Sequence, residues 1–187
     1  MAAVTQHIPP GWDYNPSNWN QRIPIVLIAA VGLLVALYLG FYQLGIFSSV
    51  WEPFFGDGSK IILNSKVSEI LPVPDAILGA FGYFVDALTG IVGGKRRWRT
   101  MPWIVIIFGF AVGPLGLVSI LLVILQPVMF DSWCTLCLSS AVISIVMIGP
   151  AIDETLASMQ YMQRVKHSGE SMWKAFWGIK ETIEKVK

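Results

Sequence analysis

The chain has 187 residues, of which 55% are hydrophobic and only 13% are charged, and its net charge is +1. Soluble domains carry about 25% charged residues, so this composition is typical of a membrane protein, and the small net charge argues against a nucleic-acid-binding protein. Two cysteines are too few for a disulfide framework, and a structural zinc site takes about four ligands, so no metal is expected.

The N-terminal 22 residues are polar and proline-rich, and we predict that they form a cytoplasmic arm. The apolar run that follows Arg22 is too long for the core of a cleavable signal peptide, so we interpret it as a signal anchor. It is the first of four apolar segments that are long enough to span a bilayer, which takes about 20 residues. The segments cover residues 24–48, 74–93, 101–123 (with an extension to 130 left open) and 132–152. The sequence therefore predicts an all-α integral membrane four-helix bundle over residues 23–152.

The loop between the second and third segments sets the expected orientation. It carries four basic residues and no acid, namely Lys95, Arg96, Arg97 and Arg99. The positive-inside rule places such a loop in the cytoplasm, although it is also suited to binding anionic lipid. With an even number of spans, both termini are then cytoplasmic and the other two loops face the outer, periplasmic side. We predict a multi-pass protein of the cell inner membrane.

The chain beyond residue 152 is predicted to remain on the cytoplasmic side, as residues 153–187. Within it, apolar residues recur at spacings of four and three, which is the period of one helical face. These residues are Met172, Phe176, Ile179, Ile183 and Val186. Residues 168–187 are therefore expected to form an amphipathic helix that lies on the membrane surface or on a partner.

Both cysteines lie in the sequence WCTLC (residues 133–137), at the outer start of the fourth segment. The Cys-x-x-Cys spacing at a helix start places both sulfurs on one turn, close enough to form a disulfide. Because a helix N-terminus stabilises a thiolate, Cys134 should be the more acidic cysteine. On an oxidising outer side, such a pair can exchange electrons with a lipid-soluble carrier. The alternative is a pair of small apolar side chains buried in a bundle.

A second pattern precedes the second apolar segment, in the sequence SKVSEILPVPDAILGAFGY (residues 65–83). By itself, it is compatible with a generic loop that leads into glycines for close helix packing. Together with the two cysteines, however, it resembles the vitamin K epoxide reductase family over about residues 23–152. Bacterial members of that family couple disulfide formation to quinone reduction. The positions that carry the resemblance are Ser65, Pro74, Asp75, Gly79, Tyr83, Cys134 and Cys137.

The resemblance implies a four-helix bundle that holds a quinone near the outer ends of its helices. Cys137 corresponds to the cysteine that transfers electrons to the quinone, and Cys134 to the one that exchanges disulfides. Asp75 stands at a position, usually Asn, that hydrogen-bonds a quinone oxygen, and Gly79 and Tyr83 complete the implied quinone-binding stretch. In this chemistry a thiolate attacks the quinone, and a nearby donor stabilises the developing oxyanion.

The chain departs from the family in the loop between the first two segments. Family members carry two cysteines there, which relay electrons to the Cys-x-x-Cys pair, and this chain has neither. Ser59 stands at the nearer position, and Ala141 replaces a tyrosine that often follows the second cysteine. A separate thioredoxin-like periplasmic protein is therefore expected to serve Cys134 directly.

The same departures support an alternative function, a structural or accessory subunit of a larger membrane complex. The Cys pair would then be a static disulfide, and the N-terminal arm and amphipathic tail would suit partner subunits. A small channel is less well supported, because the single intramembrane acid in the second segment, Asp86, provides little polar lining. We expect Asp86 to have a structural role with a hydroxyl partner such as Thr89, and a functional role is the alternative.

Overall fold

The computed structural model of the protein describes residues 8–68 and 72–179, which form helices and no strands. In chain order the helices are α1 (Trp19–Gln43), α2 (Gly58–Leu63), α3 (Asp75–Ile91), α4 (Arg97–Thr100), α5 (Pro102–Phe130), α6 (Thr135–His167) and α7 (Met172–Phe176). The prediction of an all-α fold is confirmed for this part of the chain.

Three helices of the described chain, α1, α5 and α6, are long and apolar enough to cross a membrane, with 25, 29 and 33 residues. The predicted second segment forms α3, which has 17 residues. Helix α1 starts before the predicted boundary, at Trp19; α5 includes the extension to Phe130; and α6 continues beyond residue 152 to His167. Large apolar side chains also cover the outside of these helices, and Phe110 is 75% exposed. Such a surface fits a lipid environment, so the protein is a membrane protein.

Helices α1, α3, α5 and α6 pack around one apolar core. Helix α1 lies along α3, α5 lies along α6, and these two pairs meet through contacts of α1 with α6 and of α3 with α5. Small residues allow the close approach, because Gly32 lies directly against the ring of Tyr83. The buried core residues are Ile25, Ala29, Ala36, Ala80, Tyr83, Phe108, Val112, Met147 and Ala151.

Two buried arginines fill the end of the bundle where α3 terminates. The guanidinium of Arg22 donates to the carbonyl oxygens of Gly90, Val92 and Gly93, at 2.5–2.9 Å. Arg97 donates to the Val92 carbonyl at 3.0 Å. The last carbonyls of a helix have no partner within it, and positive charge is favourable there. Arg97, expected to face the cytoplasm as part of the basic loop, therefore points into the protein.

The described part of the N-terminal arm is packed on the same end of the bundle. The Trp12 indole donates to Gln160 at 2.9 Å, and the Asn15 amide donates to the Lys95 carbonyl at 2.7 Å. The Tyr14 hydroxyl donates to Asp153. Residues 8–18 are thus bound to the protein's own helices.

The C-terminal tail reaches this end as well. Ala175 in α7 is buried against Trp98, Tyr161 and Val165, and the rings of Trp103 and Trp177 lie 5.7 Å apart. The predicted amphipathic helix is observed only from Met172 to Phe176. Ile179 follows this helix in a non-helical stretch, and Ile183 and Val186 lie outside the described residues.

Candidate active site

Cys134 and Cys137 form a disulfide at the start of α6, with their Cα atoms 5.2 Å apart. Cys134 is the N-cap residue of this helix, and its sulfur accepts the backbone N–H of Cys137 at 3.2 Å. Cys134 is 0% exposed, whereas Cys137 is partly exposed. The spacing predicted a pair on the first helical turn, and the structure has this arrangement.

Side chains from two other parts of the chain bind the backbone amides beside the disulfide. The buried Gln126 of α5 accepts the N–H of Cys134 at 3.1 Å. Glu52, in the loop after α1, accepts the N–H of Thr135 at 2.9 Å and also its hydroxyl. The first amides of a helix have no partner within it, so these acceptors stabilise the helix start. Neither residue was predicted from the sequence, because neither belongs to a local motif.

Glu52 is also bound within its own loop. Its carboxylate accepts the hydroxyl of Ser59 and the backbone N–H groups of Phe54 and Phe55, both at 3.3 Å. Partial burial raises the pKa of Glu52, but the hydrogen bonds from Ser59 and Thr135 outweigh that effect and lower it to about 2. The side chain is therefore a carboxylate at neutral pH.

Asp75, the first residue of α3, lies at the same end of the bundle as Cys137. Ala76 and Cys137 pack against the same cluster of Leu39, Val50 and Leu63. The Asp75 carboxylate accepts the amide of Gln43 at 2.6 Å and the hydroxyl of Ser68 at 3.3 Å. Structure thus brings Asp75 and the second cysteine to one end of the bundle. It also adds Gln43 and Ser68, which were not predicted as site residues.

Tyr83 and Gly79 have different surroundings. The buried Tyr83 hydroxyl donates to the carbonyl oxygen of Ser140 at 2.7 Å and lies 2.7 Å from the hydroxyl of Ser144. Ser140 follows Cys137 by one helical turn, so this contact joins α3 to α6 one turn away from the disulfide. At Gly79, by contrast, a Cβ atom would meet nothing within 4 Å.

Asp86 lies one turn further along α3 and is 0% exposed. Neither of its carboxylate oxygens has a hydrogen-bond partner among the described residues. Thr89, its expected partner, donates to the backbone carbonyls of Val85 and Asp86 instead. The expected Thr89–carboxylate hydrogen bond is therefore wrong, because the hydroxyl binds the preceding helical turn.

An apolar groove of about 410 Å³ runs between α5 and α6. It is lined by Gly109, Val112, Gly113, Leu117, Ile148, Ala151, Ile152, Thr155 and Leu156. On α6, the lining residue nearest to Cys137 is Ile148, which lies about 16 Å further along the helix at about 1.5 Å per residue. The groove is thus separate from the disulfide, and we assign it no chemistry.

Comparison with known protein families matches residues 23–152 to the vitamin K epoxide reductase family. A search of the curated proteins found no match. The matched region includes Asp75, Tyr83 and the Cys134–Cys137 disulfide, and it excludes the arm and the tail. The match supports membrane thiol–quinone redox chemistry in general, and the disulfide at the start of α6 fits that chemistry. The chain belongs to the vitamin K epoxide reductase family.

Proposed function

We propose that the protein is a membrane thiol–quinone oxidoreductase that passes electrons from an external thiol protein to a quinone through Cys134 and Cys137. The observation that carries this proposal is the disulfide at the N-terminus of α6, packed beside the start of α3. Backbone N–H groups at a helix start stabilise a thiolate, and Cys134 already accepts one of them.

The proposed cycle moves two electrons and two protons. A thiolate of a thioredoxin-like protein attacks the Cys134 sulfur, the Cys134–Cys137 bond breaks, and Cys137 leaves as a thiolate. The donor's second thiol then displaces Cys134, so the donor departs as a disulfide. Next, the Cys137 thiolate attacks the quinone, and Cys134 displaces the reduced product as the disulfide forms again. Hydroquinone is released with both protons of the original dithiol.

The quinone is proposed to lie between Cys137 and the start of α3. An ionised Asp75 only accepts hydrogen bonds, so it would have to be protonated to donate one to a quinone oxygen. Gln43 and Ser68 hold the carboxyl group in place. The free space beside Gly79 suits a flat ring that approaches α3.

The proposed membrane placement has α3 as a fourth span. Its 17 residues are about 25 Å long, slightly less than the roughly 30 Å hydrocarbon core of a bilayer. Lys95 and Arg96 remain exposed in the basic loop, which supports a cytoplasmic location for this loop and for both termini. The disulfide would then face the periplasmic side of the inner membrane.

Quinone reduction by the purified protein tests the proposed activity. The protein in detergent receives excess dithiothreitol and a short-chain quinone, and the quinone's ultraviolet absorbance is followed. Turnover in the wild type that disappears in Cys137→Ala supports the proposal. A wild-type rate no higher than that of Cys137→Ala, in protein with a normal helical circular dichroism spectrum, contradicts it.

A second candidate is an accessory subunit with a static disulfide. The full burial of Cys134 favours it, because a buried sulfur is not accessible to an outside thiol. The N-terminal arm no longer supports it, since residues 8–18 bind the protein's own helices. Copurification of other membrane subunits in fixed ratio, together with a disulfide that resists dithiothreitol, would favour this function.

A further inference from the structure

The loop of residues 52–59, which leads from α1 into α2, contacts the residues on both sides of Cys134. Gly58 packs so closely against the carbonyl of Trp133 that a Cβ atom would collide with it. Ser59, the next residue, is buried. Cys134 stands between Trp133 and Thr135, which both contact this loop, and it is 0% exposed although it lies at the end of a helix. Thiol–disulfide exchange requires access to the sulfur that is attacked, so the observed loop position blocks attack on Cys134.

Glu52 joins this loop to α6 by hydrogen bonds. Its carboxylate accepts hydrogen bonds from Ser59 on the loop side and from the amide and hydroxyl of Thr135 on the helix side. Hydrogen bonds to an ionised acceptor are about twice as strong as neutral ones. Loop and helix are therefore held together by one charged group, directly beside Cys134.

We propose that Glu52 is a positioning residue that holds the loop closed over Cys134, so that the disulfide exchanges with an outside thiol only when the Glu52–Thr135 contact opens. This inference rests on the proposed function, because it assigns Cys134 as the sulfur that is attacked. Ser59 stands at the position of a loop cysteine in the family that the chain resembles. In this chain the loop is therefore joined to the helix by a hydrogen-bonded carboxylate, and it has no thiol at the position of Ser59.

The charge of Glu52 has a second effect. A carboxylate at the Thr135 amide occupies a donor of the helix start and repels a thiolate on the preceding residue, Cys134. It therefore disfavours the reduced pair, whose thiolate needs that positive end of the helix. Glu52 therefore opposes reduction of the disulfide in two ways, by holding the loop closed and by its charge. Glu52→Ala removes both effects, whereas Glu52→Gln removes the charge and keeps a hydrogen-bond acceptor.

The test measures reduction of the oxidised full-length protein in detergent, without quinone. Dithiothreitol reduces the disulfide, samples are quenched with a maleimide of high mass, and free thiols are counted by gel shift. Glu52→Ala loses both the contact and the charge, and its reduction rate is expected to rise at least tenfold. Glu52→Gln keeps an acceptor for the Thr135 amide, so its rate should lie between those of Glu52→Ala and the wild type.

A redox titration of the same variants separates the effect of charge from loss of structure. In a glutathione buffer, Glu52→Gln is expected to shift the equilibrium constant about tenfold toward the dithiol, which is about 30 mV for this two-electron couple. A purely structural role would leave this potential unchanged. Asp57→Asn is the matched control, because Asp57 lies in the same loop with a side chain that is 74% exposed. It should match the wild type in rate and potential.

A wild-type rate of reduction in folded Glu52→Ala would overturn the proposal. If Glu52→Ala does not fold, Thr135→Val replaces it, because this change removes only the hydroxyl contact to Glu52. Faster reduction of Thr135→Val would support the proposal, and an unchanged rate together with an unchanged potential of Glu52→Gln would overturn it. Since no quinone is present, an inactive quinone site does not affect any of these outcomes.

Discussion

Arg97 binds Glu154 through two guanidinium nitrogens at the end of the bundle where α3 terminates, and the two side chains are only 1% and 2% exposed. Glu154 also accepts the hydroxyl of Ser17 at 2.5 Å, which joins the N-terminal arm to the pair. The pair thus connects the arm, α4 and α6, while Arg97 also binds the end of α3. Removing one member would leave the other as an unpaired buried charge.

Glu154→Gln is therefore expected to lower the free energy of unfolding by about 3–5 kcal/mol, the usual effect of breaking a buried ion pair. Thermal unfolding in detergent, followed by circular dichroism, measures the change. Asp57→Asn breaks the exposed Lys60–Asp57 pair and should leave the unfolding midpoint unchanged. Equal midpoints for the two variants would show that the Arg97–Glu154 contact does not stabilise the fold.

Gly32→Ala is expected to destabilise the core. The added Cβ atom would come within 2.7 Å of the Tyr83 ring, which is too close for any side chain. Forcing extra volume into a packed core costs about 1–3 kcal/mol, so the unfolding midpoint should fall. Unchanged stability of this variant would mean that α1 and α3 are further apart than the structure indicates.

Gly79→Ala tests the proposed quinone position without lowering the stability of the fold. The added methyl group meets no protein atom within 4 Å, and alanine is the better helix former by about 1 kcal/mol. Its stability should therefore match or exceed that of the wild type. If the quinone lies over α3 as proposed, the methyl group will raise the KM for quinone several-fold. A wild-type KM would place the quinone elsewhere.

Tyr83→Phe removes the hydroxyl that binds Ser140 and Ser144 below the disulfide. The lost hydrogen bonds are expected to cost about 1–2 kcal/mol of stability. The resemblance also assigns Tyr83 to quinone binding, so the KM for quinone should rise as well. Steady-state kinetics at saturating dithiothreitol measure this change. A lower unfolding midpoint with an unchanged KM would restrict Tyr83 to a structural role.

The contact between Glu52 and Thr135 should persist in mild acid. The pKa of Glu52 is lowered from 4.5 to about 2 in the closed loop, so its contribution is fully present above pH 4.5. It is lost only as the pH falls from 4.5 through 2, when the carboxylate becomes protonated. An acid-tolerant phosphine reduces the disulfide, and the wild-type rate is divided by the rate for Glu52→Gln at each pH. This ratio should be constant from pH 7 to 5 and rise below pH 4. A rise that begins near pH 6 would contradict the assignment to Glu52.

The sequence alone predicted the membrane class, the all-α fold and the disulfide pair. Each follows from local information: the low fraction of charged residues and long apolar runs indicate spans, and a Cys-x-x-Cys spacing places both sulfurs on one helical turn. The resemblance of residues 65–83 and of the two cysteines to the vitamin K epoxide reductase family also depends on such local patterns, and the family match confirmed it.

Only the tertiary structure decided which polar residues surround the disulfide and which basic residue of the loop at residues 95–99 is buried. Glu52 and Thr135 are 83 positions apart, and Arg97 and Glu154 are 57 positions apart. No helical or strand period links such pairs, because their contact depends on how α1, α4 and α6 pack together. A charge in a short loop is usually solvated, so nothing in the sequence distinguished Arg97 from its exposed neighbour Arg96. The difference from Arg96 arises because Arg97 lies where a buried carboxylate and the carbonyls at the end of α3 both accept its hydrogen bonds.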